Sequence, residues 1–328
     1  MKRLIFGLIA LALSLGCVQP AGAGAIVTWG YSGIGVGVPS GNDFTAVASG
    51  GHYGALALRS NGSLAAWGDD RYGQVSAAPS GNGFTAVAGD GLVNLALGSD
   101  GSIAVWGWGA YGVVALAPTG TGFKAIAGNY LEGLALQSDG SIAAWGYDGY
   151  GVVSGAPSGT GFTAIAVNYN NGLALRSDGS IAAWGTDDFG VVSGIPSGTG
   201  FTAIAGGIAG ALALRSDGSL AAWGYSGVVS ATPTGTGFIA VSGDGSVNYA
   251  LRSDGSIVSW TGNGSPFPGT PTGTGFTAIG VGGHFHTSGV AIQDQAIAVP
   301  EPASLTLFGL GAIGLAVHRR QRNRARAS

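Results

Sequence analysis

Residues 173–185, LALRSDGSIAAWG, read as one β-hairpin. Leu-Ala-Leu and Ile-Ala-Ala-Trp are apolar runs of strand length. Between them, Asp178-Gly179 supplies the positive φ angles that a type I′ turn needs at both central positions. The pattern recurs along the whole chain. Its tryptophans fall at Trp29, Trp67, Trp106, Trp145, Trp184, Trp223 and Trp260, 37 to 39 residues apart. A second marker keeps step with them, the Phe of FTAIA-like runs at Phe44, Phe84, Phe123, Phe162, Phe201, Phe238 and Phe276. Seven units of this length make the chain a repeat array, so its 328 residues are not to be divided into independent domains.

Each unit reads as four short strands, exemplified by FTAIA, LALRS, SIAAW and GVVSGAP. Four-stranded units repeated radially are β-propeller blades, stacked face to face. Burial on both faces explains why the strands are apolar runs instead of alternating ones. The expected fold is therefore all-β: a seven-bladed β-propeller of four-stranded antiparallel blades over residues 26–298. The tryptophans are expected to be core residues. The chain enters with IVTWG and GIGVGVP and leaves the repeats with FTAIG and GVAIQ. Pairing these N- and C-terminal strands would complete the seventh blade and remove exposed sheet edges. Residues 296–299 compete for the same position.

Charge separates by segment. Residues 26–298 hold six basic and fifteen acidic side chains, while the basic residues of the termini bring the whole chain to −3. An acidic body lacks the electrostatic footprint of nucleic-acid binding, so no nucleic acid is expected as partner. The one cysteine, Cys17, excludes a disulfide framework.

The ends carry addresses. Met1-Lys2-Arg3 and the apolar run 4–15 form a secretory signal peptide, residues 1–25, with cleavage expected after Ala25. A lipidated Cys17 is the competing reading. Residues 299–328 hold three parts: Pro300-Glu301-Pro302, an apolar segment 304–317 and a basic cluster. That segment is about 21 Å long as a helix, against a bilayer core of roughly 30 Å. It suits transient contact with the inner membrane better than a permanent span.

Residues 46–79, AVASGGHYGALALRSNGSLAAWGDDRYGQVSAAP, resemble the repeat of the regulator of chromosome condensation family, in particular its bacterial secreted branch. The resemblance spans residues 26 to about 294 and implies a seven-bladed propeller. It does not imply nucleotide exchange, an activity of nuclear members. The tail resembles the PEP-CTERM sorting signal. That resemblance implies an exported protein of a Gram-negative bacterium, processed by an exosortase-type enzyme and destined for the cell surface or extracellular matrix.

Catalytic, cofactor and metal sites are not expected. His52, His284 and His286 match loop positions of the repeat, and no Cys or carboxylate cluster completes a metal site. The Asp-Gly pairs, and Gly89-Asp90-Gly91, read as turn chemistry without calcium-loop spacing. Asp69-Asp70 and Asp187-Asp188 are not an acid/base pair. One feature points to binding. In an antiparallel blade the loops between strands one and two, and between strands three and four, emerge on the same side. These loops vary between repeats and concentrate Tyr72, Trp108, Tyr111, Tyr130, Tyr147, Tyr150, Tyr169, Phe189 and Tyr225, whereas the opposite turns barely change. Aromatic anchors make this face the candidate for a protein or glycan ligand. A purely structural matrix component and, more weakly, a polysaccharide-active enzyme are the alternatives.

Overall fold

The computed structural model describes residues 23–30, 32–50, 54–90, 92–207, 210–243, 247–282 and 288–294. The signal segment 1–22, the three histidines His52, His284 and His286, and everything beyond Asp294, including the sorting tail and residues 296–299, lie outside the described residues.

Each repeat folds into a three-stranded antiparallel sheet, and there are seven among the described residues. Sheet 4 is typical, with Phe162–Val167, Asn171–Arg176 and Ile181–Gly185 paired in sequence order. Sheets 1 to 6 follow this plan, beginning at Phe44, Phe84, Phe123, Phe162, Phe201 and Phe238. Sheet 7 differs in connectivity: Phe276–Gly282 and Ser288–Gln293 take Ala25–Gly30, from the other end of the chain, as their third strand. The first strands of successive sheets pack on one another, and Phe276–Gly282 of sheet 7 lies against Phe44–Gly50 of sheet 1. Ala25 pairs with Gln293, and Gly24 exchanges backbone hydrogen bonds of 3.0 and 3.2 Å with Phe44. The paired structure thus begins ahead of the expected signal cleavage point.

Two expectations about the repeat need correction. The first is the hairpin turn. Gly179 has φ +79°, yet Asp178 does not take a positive φ, so the turn is not type I′. Gly179 N–H donates to the Arg176 carbonyl and Arg176 N–H to the Ser180 carbonyl, both ends of a three-residue loop with a glycine bulge. Asp178 Oδ1 accepts the Ser180 N–H at 2.8 Å, which secures the loop with aspartate on the right-handed side. Only glycine must be left-handed there.

The second correction concerns the fourth strand: blades of four strands were expected and the sheets have three. The GVVSGAP segment is a helical turn. In sheet 3 its amides are gathered by one side chain, as Asp148 Oδ1 accepts the N–H groups of Val153 and Ser154 at 3.0 and 2.9 Å. Asp70 and Asp187 act identically after sheets 1 and 4. After sheet 5 the segment is the short α-helix Ser226–Ala231. A strand would have left these amides without the carboxylate and would have removed the acceptor described next.

The seven tryptophans that mark the repeats are all buried. Five of their indole N–H groups reach back to the turn that follows the preceding sheet. Trp145 donates to Val113 O and Trp184 to Val152 O, both at 2.8 Å, and Trp67, Trp106 and Trp223 donate to Ile34, Gln74 and Val191 at 2.9 Å. Val113, Val152 and Val191 bury their side chains in the same inter-sheet layers. Opposite Trp145 and Trp184 in the ladder stand Gly133 and Gly172, where a Cβ would enter the indole ring. Trp29 departs from the rule and donates to the Tyr249 hydroxyl at 3.0 Å. Trp260 Nε1 is buried with no hydrogen-bond partner, its sheet following the shortened repeat.

A candidate binding face built on aromatic rings

The nine aromatic residues singled out in the sequence fall into two groups. Phe189 and Tyr225 form one edge-to-face pair, 6.4 Å between ring centroids. The other seven are one connected network spanning sheets 1 to 4. Six of them close a circuit: Trp108, Tyr111, Tyr147, Tyr150, Tyr169 and Tyr130 follow one another at centroid distances of 5.3 to 6.2 Å, and Tyr130 stacks back on Trp108. Tyr72 extends the network from Trp108 at 5.9 Å. Such offset and edge-on contacts are each worth about 0.5–1.5 kcal/mol beyond area burial. Tyr72, Tyr111, Tyr147, Phe189 and Tyr225 are nonetheless exposed, and Trp108, Tyr130, Tyr150 and Tyr169 are half-buried.

The loops explain how rings from four sheets meet. Tyr130 and Tyr169 sit on loops between first and second strands, held by Asx turns. Asn129 Oδ1 accepts the N–H groups of Leu131 and Glu132 at 2.7 Å, while its Nδ2 donates to the Asn168 carbonyl in the next sheet at 2.8 Å. Asp90 does the corresponding work one sheet earlier, accepting from Leu92 and Val93 and, at 2.7 Å, from the Tyr130 N–H. These cross-sheet bonds fix the spacing of the rings. Tyr169 is the ring neighbour shared by Tyr130 and Tyr150. Burial, and then the neighbouring Tyr169 hydroxyl, push the Tyr130 phenol up; Tyr169 does the same for Tyr150.

Tyr111 has φ +59° and is the one non-glycine residue with positive φ among the described residues. Its counterparts Tyr72, Tyr150 and Phe189 do not share this conformation. In each of those repeats an aspartate two residues earlier, Asp70, Asp148 or Asp187, caps the turn, and at Tyr111 the equivalent residue is Gly109. Left-handed backbone at a bulky residue costs about 1–3 kcal/mol.

The sequence reading passed over the carboxylates beneath the rings. Glu132 opens the second strand of sheet 3, entirely buried, with neither carboxylate oxygen hydrogen-bonded. Burial pushes its carboxyl up to about 8, against a pull from Asn129 and helped by Asp90 and Asp148. Asp90 is pushed up to about 6, again by burial, although its amide donors oppose this. Asp148 goes the other way, held below the ordinary carboxylate range chiefly by the Ser154 amide. The Asp69-Asp70 pair divides its tasks: Asp70 caps its turn and Asp69 bonds Arg71 at 2.5 Å. Arg71 is the one basic side chain in the variable loops among the described residues. The remaining described arginines lie at the other ends of the sheets, stacked over Phe44, Phe162, Phe201 and Phe238. No group of three or more metal-ligating side chains occurs among the described residues.

A repeat-built β-propeller with one aromatic, acidic end is the class these features define. Comparison with known proteins agrees. A family profile for the regulator of chromosome condensation (RCC1) repeat matches residues 44–74, and one for the PEP-CTERM protein-sorting motif matches residues 298–320. The chain therefore carries an RCC1 repeat and an export-associated sorting motif. Its fold is similar to that of Prp20p from Saccharomyces cerevisiae, studied for binding to Gsp1p and histones, at 18% identity and TM-score 0.65 over 86% of this chain and 93% of that one. The Physcomitrella patens receptor kinase CR4 ectodomain is similar at 19% identity and TM-score 0.63, covering 77% and 71%. Human WBSCR16 is similar at 15% identity and TM-score 0.62, covering 84% and 100%. These likenesses establish the fold. No curated protein matches the sequence.

Proposed function

We propose that this is an exported, non-enzymatic binding protein. Its seven sheets form a closed ring presented at the cell surface or in the extracellular matrix of a Gram-negative bacterium. The ring binds a glycan or a protein through the aromatic face. The observation that carries this reading is the circuit of six rings on the variable loops, set against near-identical Ser-Asp-Gly turns at the opposite ends of the sheets. Aromatic side chains that stay accessible while packed on one another are pre-ordered anchors, which lowers the entropy lost on binding. A catalytic reading has less support, because Glu132 is shut off from solvent and Asp148 is engaged in its turn. The PEP-CTERM motif supports processing by an exosortase-type enzyme. It also favours a second reading, in which the protein is a structural matrix component.

The test is a glycan array together with pull-down from matrix extract. Tyr150→Ala combined with Phe189→Ala is expected to weaken capture about tenfold or more, as loss of aromatic anchors does. Replacing Ser177 and Thr160 at the opposite end is expected to leave it unchanged. Loss of capture through the second pair alone would move the site to the other face. If no ligand is captured by any variant, the structural-matrix reading replaces this one.

A further inference from the structure

The six-ring circuit and the carboxylate under it have one chemical property in common. The faces of aromatic rings are regions of negative potential and attract organic cations. Here the rings belong to five tyrosines and one tryptophan, the electron-rich members of the set, and three sheets contribute them. Three edge-on contacts run in succession from Trp108–Tyr111 at 87° to Tyr147–Tyr150 at 75°, and three flatter ones complete the circuit, from Tyr150–Tyr169 at 45° to Tyr130–Trp108 at 27°. Rings set at such angles present faces as well as edges to whatever lies among them.

Glu132 supplies the second, independent observation. A carboxyl group with both oxygens buried and unpartnered is costly, and among the described residues Glu132 is the one ionisable side chain in that position; the other buried atoms without a partner belong to amide, hydroxyl and indole groups. The residue stands two places after Tyr130, and its N–H is held at 2.7 Å by Asn129, whose Nδ2 bonds the carbonyl of Asn168 beside Tyr169. It therefore lies at the base of the loops that carry Tyr130 and Tyr169. Asp148, between Tyr147 and Tyr150 in sequence, and Asp90, bonded to the Tyr130 amide, add negative charge from the two neighbouring loops. No basic side chain of the described residues offsets them locally; Arg71 is bound to Asp69. An anionic polysaccharide meets repulsion here, and a neutral one leaves the buried carboxyl without a counterpart.

We infer that the circuit formed by Trp108, Tyr111, Tyr147, Tyr150, Tyr169 and Tyr130, with Glu132 beneath it, is a site for an organic ammonium group. The inference rests on the reading of this face as the binding surface and specifies what that surface takes. The ammonium can be that of a glycan with free amino groups, whose ring CH faces also stack on tyrosine, or a quaternary headgroup. The rings hold the cation by their faces, and Glu132, Asp90 and Asp148 provide the field behind them. Binding draws Glu132 toward its ionised form, so a proton leaves the site as the cation arrives.

Isothermal titration of the full chain with three probes tests this: a β-1,4-linked glucosamine oligomer, its fully N-acetylated counterpart, and tetramethylammonium chloride. The glucosamine oligomer is expected to bind about tenfold or more tightly than the acetylated one. Tetramethylammonium has a charge that does not titrate, so its affinity isolates the protein's protons. It is expected to rise between about pH 7 and pH 9 as Glu132 ionises, and to stay flat in Glu132→Gln. The groups facing Glu132 do not confuse the window: Asp90 and Asp148 titrate below it and the Tyr130 and Tyr150 phenols above. Tyr147→Ala, on an exposed ring, is expected to weaken both cationic probes and serves as the control if Glu132→Gln folds poorly. Tetramethylammonium binding without the glucosamine oligomer supports the site and assigns it to a quaternary headgroup. Equal binding of the acetylated and free oligomers overturns the ammonium inference while leaving the aromatic face as the binding surface. Failure of both cationic probes overturns it too. If a glycan binds but is indifferent to Tyr147→Ala, the face itself was misassigned.

Discussion

Glu132 occupies a register position that holds Gly54, Val93, Asn171, Gly210, Val247 or Ser288 in the other sheets. Nothing in the repeat requires an acid there. Its carboxyl is raised from 4.5 to about 8 by burial, so the folded state holds a proton that the unfolded chain has released. The sign follows directly: the stabilising contribution of the protonated form is complete below about pH 4.5 and is lost as pH rises through about 8. Asp90 acts in the same direction over a lower range, between 3.8 and about 6. Glu132→Gln keeps the shape and removes the titration. We expect it to match the parent near pH 4 and to exceed it by a few kcal/mol, as an order of magnitude, near pH 9. Thermal melts of both proteins across that range measure it; parallel curves would show that the carboxyl is not desolvated. The sequence gives no warning of this residue, because Asn129-Tyr130-Leu131-Glu132 looks like any polar loop. Asn129 turns the backbone at Glu132, and aromatic rings from two other repeats meet the same loop at Tyr130, none of which is written in the four residues themselves.

At the scale of the element, the helical turn after sheets 1 to 5 is the part of the repeat least legible in advance. Val-Val between glycines has the composition of a strand, and only the aspartate four or five positions earlier argues against it. The hairpins were plain from Trp, Leu-Ala-Leu and Asp-Gly; the three-residue form of their turn was not, since Asp-Gly serves both geometries. The variable loops were legible as one face because loop length and chemistry change there and nowhere else. The turn after sheet 2 offers a direct check of the capping argument. Gly109 has φ −81° and ψ 10°, which any residue adopts, and a Cβ there meets nothing within 4 Å. Gly109→Asp is expected to restore the cap seen at Asp70, Asp148 and Asp187 and to stabilise the fold by about 1 kcal/mol. It should also release Tyr111 from its left-handed backbone. A lower denaturation midpoint for this variant would mean that the aspartates follow the turn instead of making it.

For the whole molecule, the bond from Trp29 to Tyr249 has a different character from the other indole bonds. It joins residues 220 positions apart, where the others span 32 or 33. Trp29, Tyr249 and Phe267 meet in the largest buried cluster, together with Phe44, Trp67 and Phe276 from the two sheets beside the chain ends. Tyr249→Phe keeps the ring contacts and leaves the indole N–H buried without an acceptor, a loss of about 1–3 kcal/mol. Chemical denaturation of the variant measures it, with a reduced midpoint expected and an unchanged one contradicting the role given to this bond.

The direction of the shorter indole bonds has a consequence in time. Each of these five tryptophans closes on a carbonyl that precedes it in the chain, so a polypeptide threaded out of the cell N-terminus first always delivers the receptor before the hook. Sheets 1 to 5 can settle in order of arrival, each against a neighbour already outside, with contacts confined to about one repeat length. Ala25–Gly30 is the exception: it emerges first and finds its partner strand, Ser288–Gln293, last. Until then it is an unpaired edge on a secreted chain, which gives folding a single late step whose rate is set by the loop of more than 250 residues that it must close.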